Sequence, residues 1–330
     1  MIYSLNNINI FTYIILSFIL SLLIDIIYGE IPTKIHPVVA VGNLISFFKN
    51  KLIKFRNRFS GVRLYFIVMI ISILIISIIL MIVSFNEILF FVIYSIVLTT
   101  TYSIKMLLSS AKDIENKLKV DINSARKAMS YLVSRNTETL SESFIISATI
   151  ETLSENITDS YIAPIFYYMI VSYLLLIFNK SFFILLILIP IIYRITNTLD
   201  AMVGYKTNEL KYIGYFPAKV DDILNYIPSR IAGLFVILSA YLINLNYKNS
   251  YLMYKRDSRN CPSPNSGFTM ATVAGALDIQ LVKKGTYKLG DPNKKIDISD
   301  ISKAIKLSKL TITLFTLFFI IIFIILFMVV

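Results

Sequence analysis

Leu64-Tyr-Phe-Ile-Val-Met-Ile-Ile-Ser-Ile-Leu-Ile-Ile-Ser-Ile-Ile-Leu-Met-Ile-Val-Ser84 is a run of twenty-one residues without one charged side chain. It exceeds the roughly 18 consecutive apolar residues that mark a helix able to cross about 30 Å of hydrocarbon. Comparable runs lie at about 10–28, 87–104, 161–178, 181–198 and 310–330, with a shorter one at 231–247. Composition agrees: 56% of the 330 residues are hydrophobic, 16% are charged and none is Trp. A soluble domain would carry about a quarter charged residues, and the mean hydropathy is +0.73. No small-residue cleavage site follows the first run, so it is expected to be a retained span and not a signal peptide. The expected fold class is all-α, a polytopic integral membrane helix bundle of about five to seven membrane segments plus interfacial helices. No linker, low-complexity tract or internal repeat divides it, so 1–330 is expected to be a single membrane domain.

The net charge of +12 is distributed by segment. Lys and Arg are absent from 1–33, 64–104 and 231–247, while 34–63 carries seven, 105–160 seven, 194–230 five and 248–309 twelve. The positive-inside rule places these four basic segments in the cytoplasm, in the cell membrane's multi-pass topology. The basicity either sets topology and attracts anionic lipid or holds a phosphorylated or carboxylated substrate. Nucleic acid is not an expected partner, because no basic and aromatic patch stands apart from the spans. One conflict remains. With the N-terminus outside and every run crossing, 248–309 would fall outside, so either 231–247 is re-entrant or the weakly apolar 266–282 returns. The re-entrant reading is preferred, and irregular backbone at that depth would line a protein-buried cavity. The stretch 105–160 is expected to be helical without spanning. Ile145, Ile146, Thr149, Ile150 and Leu153 recur at helical spacing, as in a helix lying on or tucked under the bundle.

Cys261 and His36 are the only residues of their kinds. An intrachain disulfide and a zinc site built from Cys and His are therefore excluded, and any metal must be a hard cation bound through oxygen. Four polar constellations border apolar segments. In Glu151-Thr-Leu-Ser-Glu155-Asn156-Ile-Thr-Asp159, three carboxylates rise along one helical face at i, i+4, i+8. They repel one another unless a cation compensates, or they form a solvated acidic face. In Arg194-Ile-Thr-Asn197-Thr-Leu-Asp200-Ala-Met-Val-Gly204-Tyr205-Lys206, Asn197 and Asp200 share a face at a membrane end. They either line a pathway or belong to an ion pair of Asp200 with Arg194 or Lys206. In Lys219-Val-Asp221-Asp222-Ile-Leu-Asn225-Tyr-Ile-Pro228-Ser-Arg230, Asp222 and Asn225 share a face and Asp221 points elsewhere, or the acids merely serve a helix start. Arg256-Asp257-Ser-Arg259-Asn-Cys261-Pro262-Ser263-Pro264-Asn265 is a turn-rich loop able to hold a phosphate or carboxylate, or only a loop. Gly285-Thr-Tyr-Lys-Leu-Gly290 is followed by Asp291, so no phosphate-binding Walker sequence is present.

Taken in order, these pieces resemble the adenosylcobinamide-phosphate synthase family of cobalamin biosynthesis (CobD/CbiB type). The resemblance rests on Leu23-Ile-Asp25, Gly29-Glu30-Ile-Pro32, His36-Pro37-Val-Val-Ala-Val-Gly42-Asn-Leu-Ile45 and Ala125-Arg126-Lys127-Ala128. It continues through Glu151-Thr-Leu-Ser-Glu155-Asn156 with Asp159, Ala163-Pro164-Ile-Phe166, Asn197 to Lys206, Asp221-Asp222 to Arg230, Ser263-Pro264-Asn265 with Gly267, and Ala274-Gly275-Ala276-Leu277. Cys261 departs from an expected His, Phe268 from a Trp and Met270 from a Glu.

The resemblance implies an amide-forming ligase. It joins a corrinoid carboxylate, that of adenosylcobyric acid, to the amine of aminopropanol phosphate or aminopropanol at the expense of ATP, with Mg²⁺ as cofactor. It implies Glu155, Asp159 and Asp222 on the metal, and Lys206, Arg230 and Arg256 on phosphate or carboxylate. Asn156, Asn197, Ser263 and Asn265 would orient substrate, and His36 or Asp200 would take the amine's proton. The active site is expected to face the cytoplasm, and assembly as an oligomer is left open. Two other classes remain. A Mg²⁺-dependent membrane prenyl- or phosphotransferase would show a lipid-facing groove between Asp clusters. A membrane transporter would move substrate without a covalent product.

Overall fold

The computed structural model describes residues 7–32, 34, 36–179 and 182–329. Residue 181, where one expected span begins, lies outside them. Among the described residues six helical stretches are long and apolar enough to cross a membrane: Ile10–Ile27, Arg58–Val83, Glu87–Leu118, Glu142–Ile177, Phe183–Val203 and Ser299–Val329. A seventh would be the bent pair Tyr215–Leu224 and Tyr226–Leu242. The protein is thus an all-α, polytopic membrane protein.

The helices are α1 (Asn7–Ile27), α2 (Pro37–Leu52), α3 (Arg58–Val83), α4 (Glu87–Thr99), α5 (Ile104–Leu118), α6 (Ile122–Ser130) and α7 (Glu142–Ile157). They continue as α8 (Ala163–Ile177), α9 (Phe183–Val203), α10 (Tyr215–Leu224), α11 (Tyr226–Leu242), α12 (Tyr247–Arg256), α13 (Gly267–Leu277) and α14 (Ser299–Val329). Asparagines begin two of the spans. Asn57 Oδ1 accepts the Ser60 N–H at 2.8 Å and Asn86 Oδ1 accepts the Leu89 N–H at 2.9 Å, satisfying donors that helix starts leave orphaned. At 31 residues α14 is roughly 46 Å long, more than the hydrocarbon requires. Its first turns, with Lys303, Lys306 and Lys309, therefore extend the expected span at 310–330 on the N-terminal side.

Two segments are decided by the structure. The span expected at 161–178 begins at Glu142, because α7 runs through a π-helical turn at Thr158–Ile162 into α8. Ile145, Ile146, Thr149, Ile150 and Leu153 are buried, but so are Ser147, Ala148, Glu151 and Ser154 on the other faces. A helix covered all round is a core helix, which fits the tucked-under alternative and not a helix lying on a surface. The π turn also adds a residue to its turn, which interrupts the i, i+4 register on which Asp159 was aligned with Glu151 and Glu155. The other concerns 266–282, the alternative return crossing that is not the preferred reading. It holds α13, eleven fully buried residues, followed by an antiparallel hairpin of β1 (Leu281–Lys283) and β2 (Tyr287–Leu289). Eleven residues span only about 16 Å, too short to cross.

The chain forms two compact units. The first comprises 1–104, 163–224 and 319–330. In it α9 packs against α2, α3, α4, α8 and α10, and α1 packs on α4 and α8. Its apolar interior includes Phe18, whose ring lies 4.9 Å from Phe319 and 6.0 Å from Tyr168. The second comprises 105–162 and 225–318. There α13 is central and packs against α7, α11, α12 and the hairpin. A Cβ on Gly275 would come within 2.6 Å of the Asn249 carbonyl oxygen, so only glycine lets α12 and α13 approach this closely.

Candidate functional site

In the first unit, polar side chains gather where α9 leaves its apolar run. Thr196 Oγ1 bonds back to the Ile192 carbonyl and shares a hydrogen bond of 2.9 Å with the Tyr65 hydroxyl, fixing α9 against α3. One residue on, Asn197 Nδ2 donates to Oδ1 of the buried Asp221 at 3.4 Å, tying α9 to α10. Asp200, one turn further, is half-buried, and the Asp222 carboxylate is close enough to act on it electrostatically. Lys219 Nζ lies 3.6 Å from Asp222 Oδ2, and the exposed Lys206 also acts on Asp222. The sequence pattern thus brings Asn197, Asp200, Lys206 and Asp222 together. It did not single out Asp221, which is buried and takes the hydrogen bond of Asn197. Asn225 does not continue that face, since α10 ends before it and α11 begins after it.

His36 caps α2, its Nδ1 accepting the Val38 N–H at 3.1 Å. Burial holds its pKa below the ordinary 6.5, with Glu30 opposing and Arg194 reinforcing the shift. A neutral imidazole whose Nδ1 lone pair is in use carries its proton on Nε2. His36 is therefore a hydrogen-bond donor in this state and not a vacant base, which leaves Asp200 as the stronger of the two base candidates.

The second unit holds a different network around Glu151. This carboxylate is only 3% exposed and accepts from Arg135 Nη2 at 2.9 Å, Ser147 Oγ at 2.6 Å and the Tyr287 hydroxyl at 2.9 Å. Ser147 Oγ also accepts the Val282 N–H at 3.0 Å, so α7 grips both strands of the hairpin. The Tyr287 phenol is pushed far up, first by burial and then by the Glu151 charge. Burial likewise pushes the Cys261 thiol up to about 12, with Glu155 and Glu151 adding to the rise. Cys261 is therefore not a thiolate nucleophile at neutral pH. Glu155, Asn156 and Asp159 are half-buried on the same helical run, and Asn156 Nδ2 donates to its own helix at the Thr152 carbonyl. Neither Arg135 nor Tyr287 is among the site candidates of the sequence, and they meet Glu151 only through the fold.

On α11, the Arg230 guanidinium lies 3.5 Å from the Tyr226 ring and 4.2 Å from the Phe268 ring. Its Nη1 donates to Asn265 Oδ1 at 3.1 Å and to Ser229 Oγ at 3.2 Å. Ser263 Oγ accepts the backbone N–H groups of Asn265 and Ser266, holding the loop that presents Asn265. Arg256 is placed otherwise. Its guanidinium bridges both oxygens of Asp257 and both of Asp291, and Asp257 Oδ2 accepts the Gly290 N–H at 2.8 Å. That clamp fastens the end of α12 to the strand exit and occupies the donors expected to meet substrate.

Among the described residues no group of three or more His, Cys, Asp or Glu side chains could hold a metal ion. Glu155, Asp159 and Asp222 are therefore not a preformed cage. The donor chemistry suits Mg²⁺ in its usual manner, in which one or two carboxylates supplement phosphate oxygens and water.

The family described as "CobD/Cbib protein" matches residues 18–314. A "Probable cobalamin biosynthesis protein CobD" of Methanothermobacter thermautotrophicus is 42% identical over 91% of this chain and 94% of its own. A protein of the same description from Methanocaldococcus jannaschii is 37% identical over 90% and 94%, respectively. The "Cobalamin biosynthesis protein CobD" of Leptospira interrogans is 35% identical over 87% and 91%. No solved structure matches. With its family motifs carried from α1 to α13 and its relatives matched almost end to end, the chain belongs to the CobD/CbiB family.

Proposed function

We propose that this protein acts in cobalamin biosynthesis as an ATP-dependent amide synthase. It would join adenosylcobyric acid to aminopropanol phosphate or aminopropanol in the cell membrane, with its basic loops and active site on the cytoplasmic face. The observation that carries the reading is the convergence of Asn197, Asp200, Asp221 and Asp222, with Lys206 and Lys219, in a chain of this family.

A carboxylate does not acylate an amine at neutral pH, so its oxygen must first become a leaving group. In the proposed reaction the corrinoid carboxylate oxygen takes the terminal phosphoryl group of ATP and ADP departs. The amine nitrogen then attacks the acyl carbon, the bond from that carbon to the phosphorylated oxygen breaks, and inorganic phosphate leaves. Asp200 takes the surplus proton from nitrogen, a role for which a half-buried carboxylate beside another carboxylate is suited. Lys206 and Arg230 hold negative charge on phosphate or carboxylate, and Asn156, Asn197, Ser263 and Asn265 orient substrate. Mg²⁺, met by Glu155 and Asp159 in the second unit or by Asp222 in the first, would neutralise phosphate charge.

Release of ADP and phosphate by purified protein tests the scheme. It should require the corrinoid acid, the amine and Mg²⁺ together and fall by about a hundredfold in Asp200→Asn. Release that ignores the amine and the corrinoid would overturn it. The clustered aspartates also suit a prenyl- or phosphotransferase, which would release pyrophosphate or a nucleoside monophosphate from its donor without consuming the corrinoid acid.

A further inference from the structure

Arg230 and Arg259 are two cations with little to balance them. Among the described residues no ion pair joins either guanidinium to a carboxylate, whereas Arg135 and Arg256 are both paired. Arg230 is half-buried, and the exposed Arg259 acts on it electrostatically. Arg259 sits on a loop whose flanking Ser258 carbonyl and Cys261 sulfur pack against Gly267, the neighbour of the Phe268 that covers Arg230. Two like charges that act on one place favour an anion there. The hydrogen bonds of Arg230, to the Tyr226 carbonyl, Ser229 and Asn265, all leave from Nη1. The Nε and Nη2 edge, three of the five donors of the guanidinium, keeps its hydrogens for something else.

The setting of Arg230 also holds it still. Tyr226 and Phe268 flank the guanidinium plane, and Asn265 fixes one end of the fork. Asn265 is itself on a loop held by Ser263 between two prolines. A planar fork immobilised before binding suits an oxyanion with two adjacent oxygens, and a second, exposed arginine acting on the same place suits a dianion.

We infer that Arg230 and Arg259, with Asn265 as the positioning residue, form a phosphate-binding subsite for a terminal phosphate group. This rests on the proposed synthase reading for the identity of its ligands, which are the phosphate of the amine substrate or the terminal phosphate of the nucleotide. Arg259 is the discriminating position, because it is exposed and anchors nothing in the fold, while Arg230 also staples α11 to α13.

The test is calorimetric titration of detergent-purified wild type and Arg259→Ala with aminopropanol phosphate, aminopropanol and ATP in turn, after confirming equal thermal melting. Loss of one charge-assisted contact should weaken one phosphorylated ligand by about tenfold or more and leave aminopropanol unchanged. A loss confined to aminopropanol phosphate assigns the subsite to the amine, and a loss confined to ATP assigns it to the nucleotide. Arg230→Lys, which keeps the charge but not the fork, should weaken the same ligand. Unchanged affinity for both phosphorylated ligands in Arg259→Ala would overturn the subsite. These titrations need no turnover, so failure of the synthase reaction would register separately, as absence of an amide product.

Discussion

The carboxylate of Asp200 lies folded against Gly204, such that a Cβ at position 204 would stand 2.0 Å from Asp200 Oδ1 and 2.7 Å from the Asp200 carbonyl oxygen. The Gly204 backbone is ordinary, with φ at −68°, so it is space and not conformational freedom that requires glycine here. The glycine lets the chain leave α9 without pushing aside the carboxylate on which the Asp222 charge acts.

Gly204→Ala should therefore act through Asp200. Overpacking of this kind costs about 1–3 kcal/mol. A reacting group displaced by about 1 Å loses on the order of a hundredfold in rate. The check is turnover of Gly204→Ala, Asp200→Asn and the double variant. The double variant should be no slower than the worse single, because both changes disable one group. Additive losses would contradict the link.

The Glu151 network should dominate the stability of the second unit. Glu151→Ala strands a mostly buried Arg135 and should cost about 3–5 kcal/mol. Tyr287→Phe removes one hydrogen bond to a charged acceptor and should cost about 1.5–3 kcal/mol. Denaturant unfolding in detergent, followed by circular dichroism, should rank the two in that order. A Glu151→Ala variant as stable as wild type would refute the structural role.

His36 should impose an acid limit on stability. Its folded-state pKa lies below the ordinary 6.5, so the unfolded chain takes up its proton first as pH falls. The stability this supplies is complete above 6.5 and is lost as pH falls through the lowered folded value. His36→Asn keeps a side-chain acceptor for the Val38 N–H while removing the titration. Melting temperatures measured from pH 7.5 down to 5 should fall less steeply in His36→Asn than in wild type. Parallel curves would show that His36 does not contribute.

Much of this architecture was legible in advance, because a chain in lipid must close its backbone hydrogen bonds within apolar helices. The runs at 10–28, 64–84 and 310–330 announce themselves for that reason. Glu142–Ile157 did not, since hydropathy cannot tell a polar helix buried in protein from one lying on a surface. Ser147, Glu151 and Ser154 are buried among partners such as Tyr287, whose distance of 136 residues in sequence hides the contact. At the site, i, i+3 spacing finds Asn197 and Asp200, but the pairing of Asp222 with Asn225 passes over the buried Asp221 and crosses a helix break, because α10 ends at Leu224 and Asn225 belongs to no continuation of it. Arg256 looked like an anion binder because the sequence did not reveal that Asp291 would lie across its fork. The hairpin was hidden by brevity, three residues a strand around a left-handed Gly285 at φ +72°.

The most direct test of the central claim is mass spectrometry of the corrinoid after incubation of detergent-purified protein with adenosylcobyric acid, Mg-ATP and either amine. The account predicts a product heavier than the acid by the amine less one water, formed only when ATP is present. Unaltered corrinoid with both amines, from protein shown by its melting transition to be folded, would contradict it.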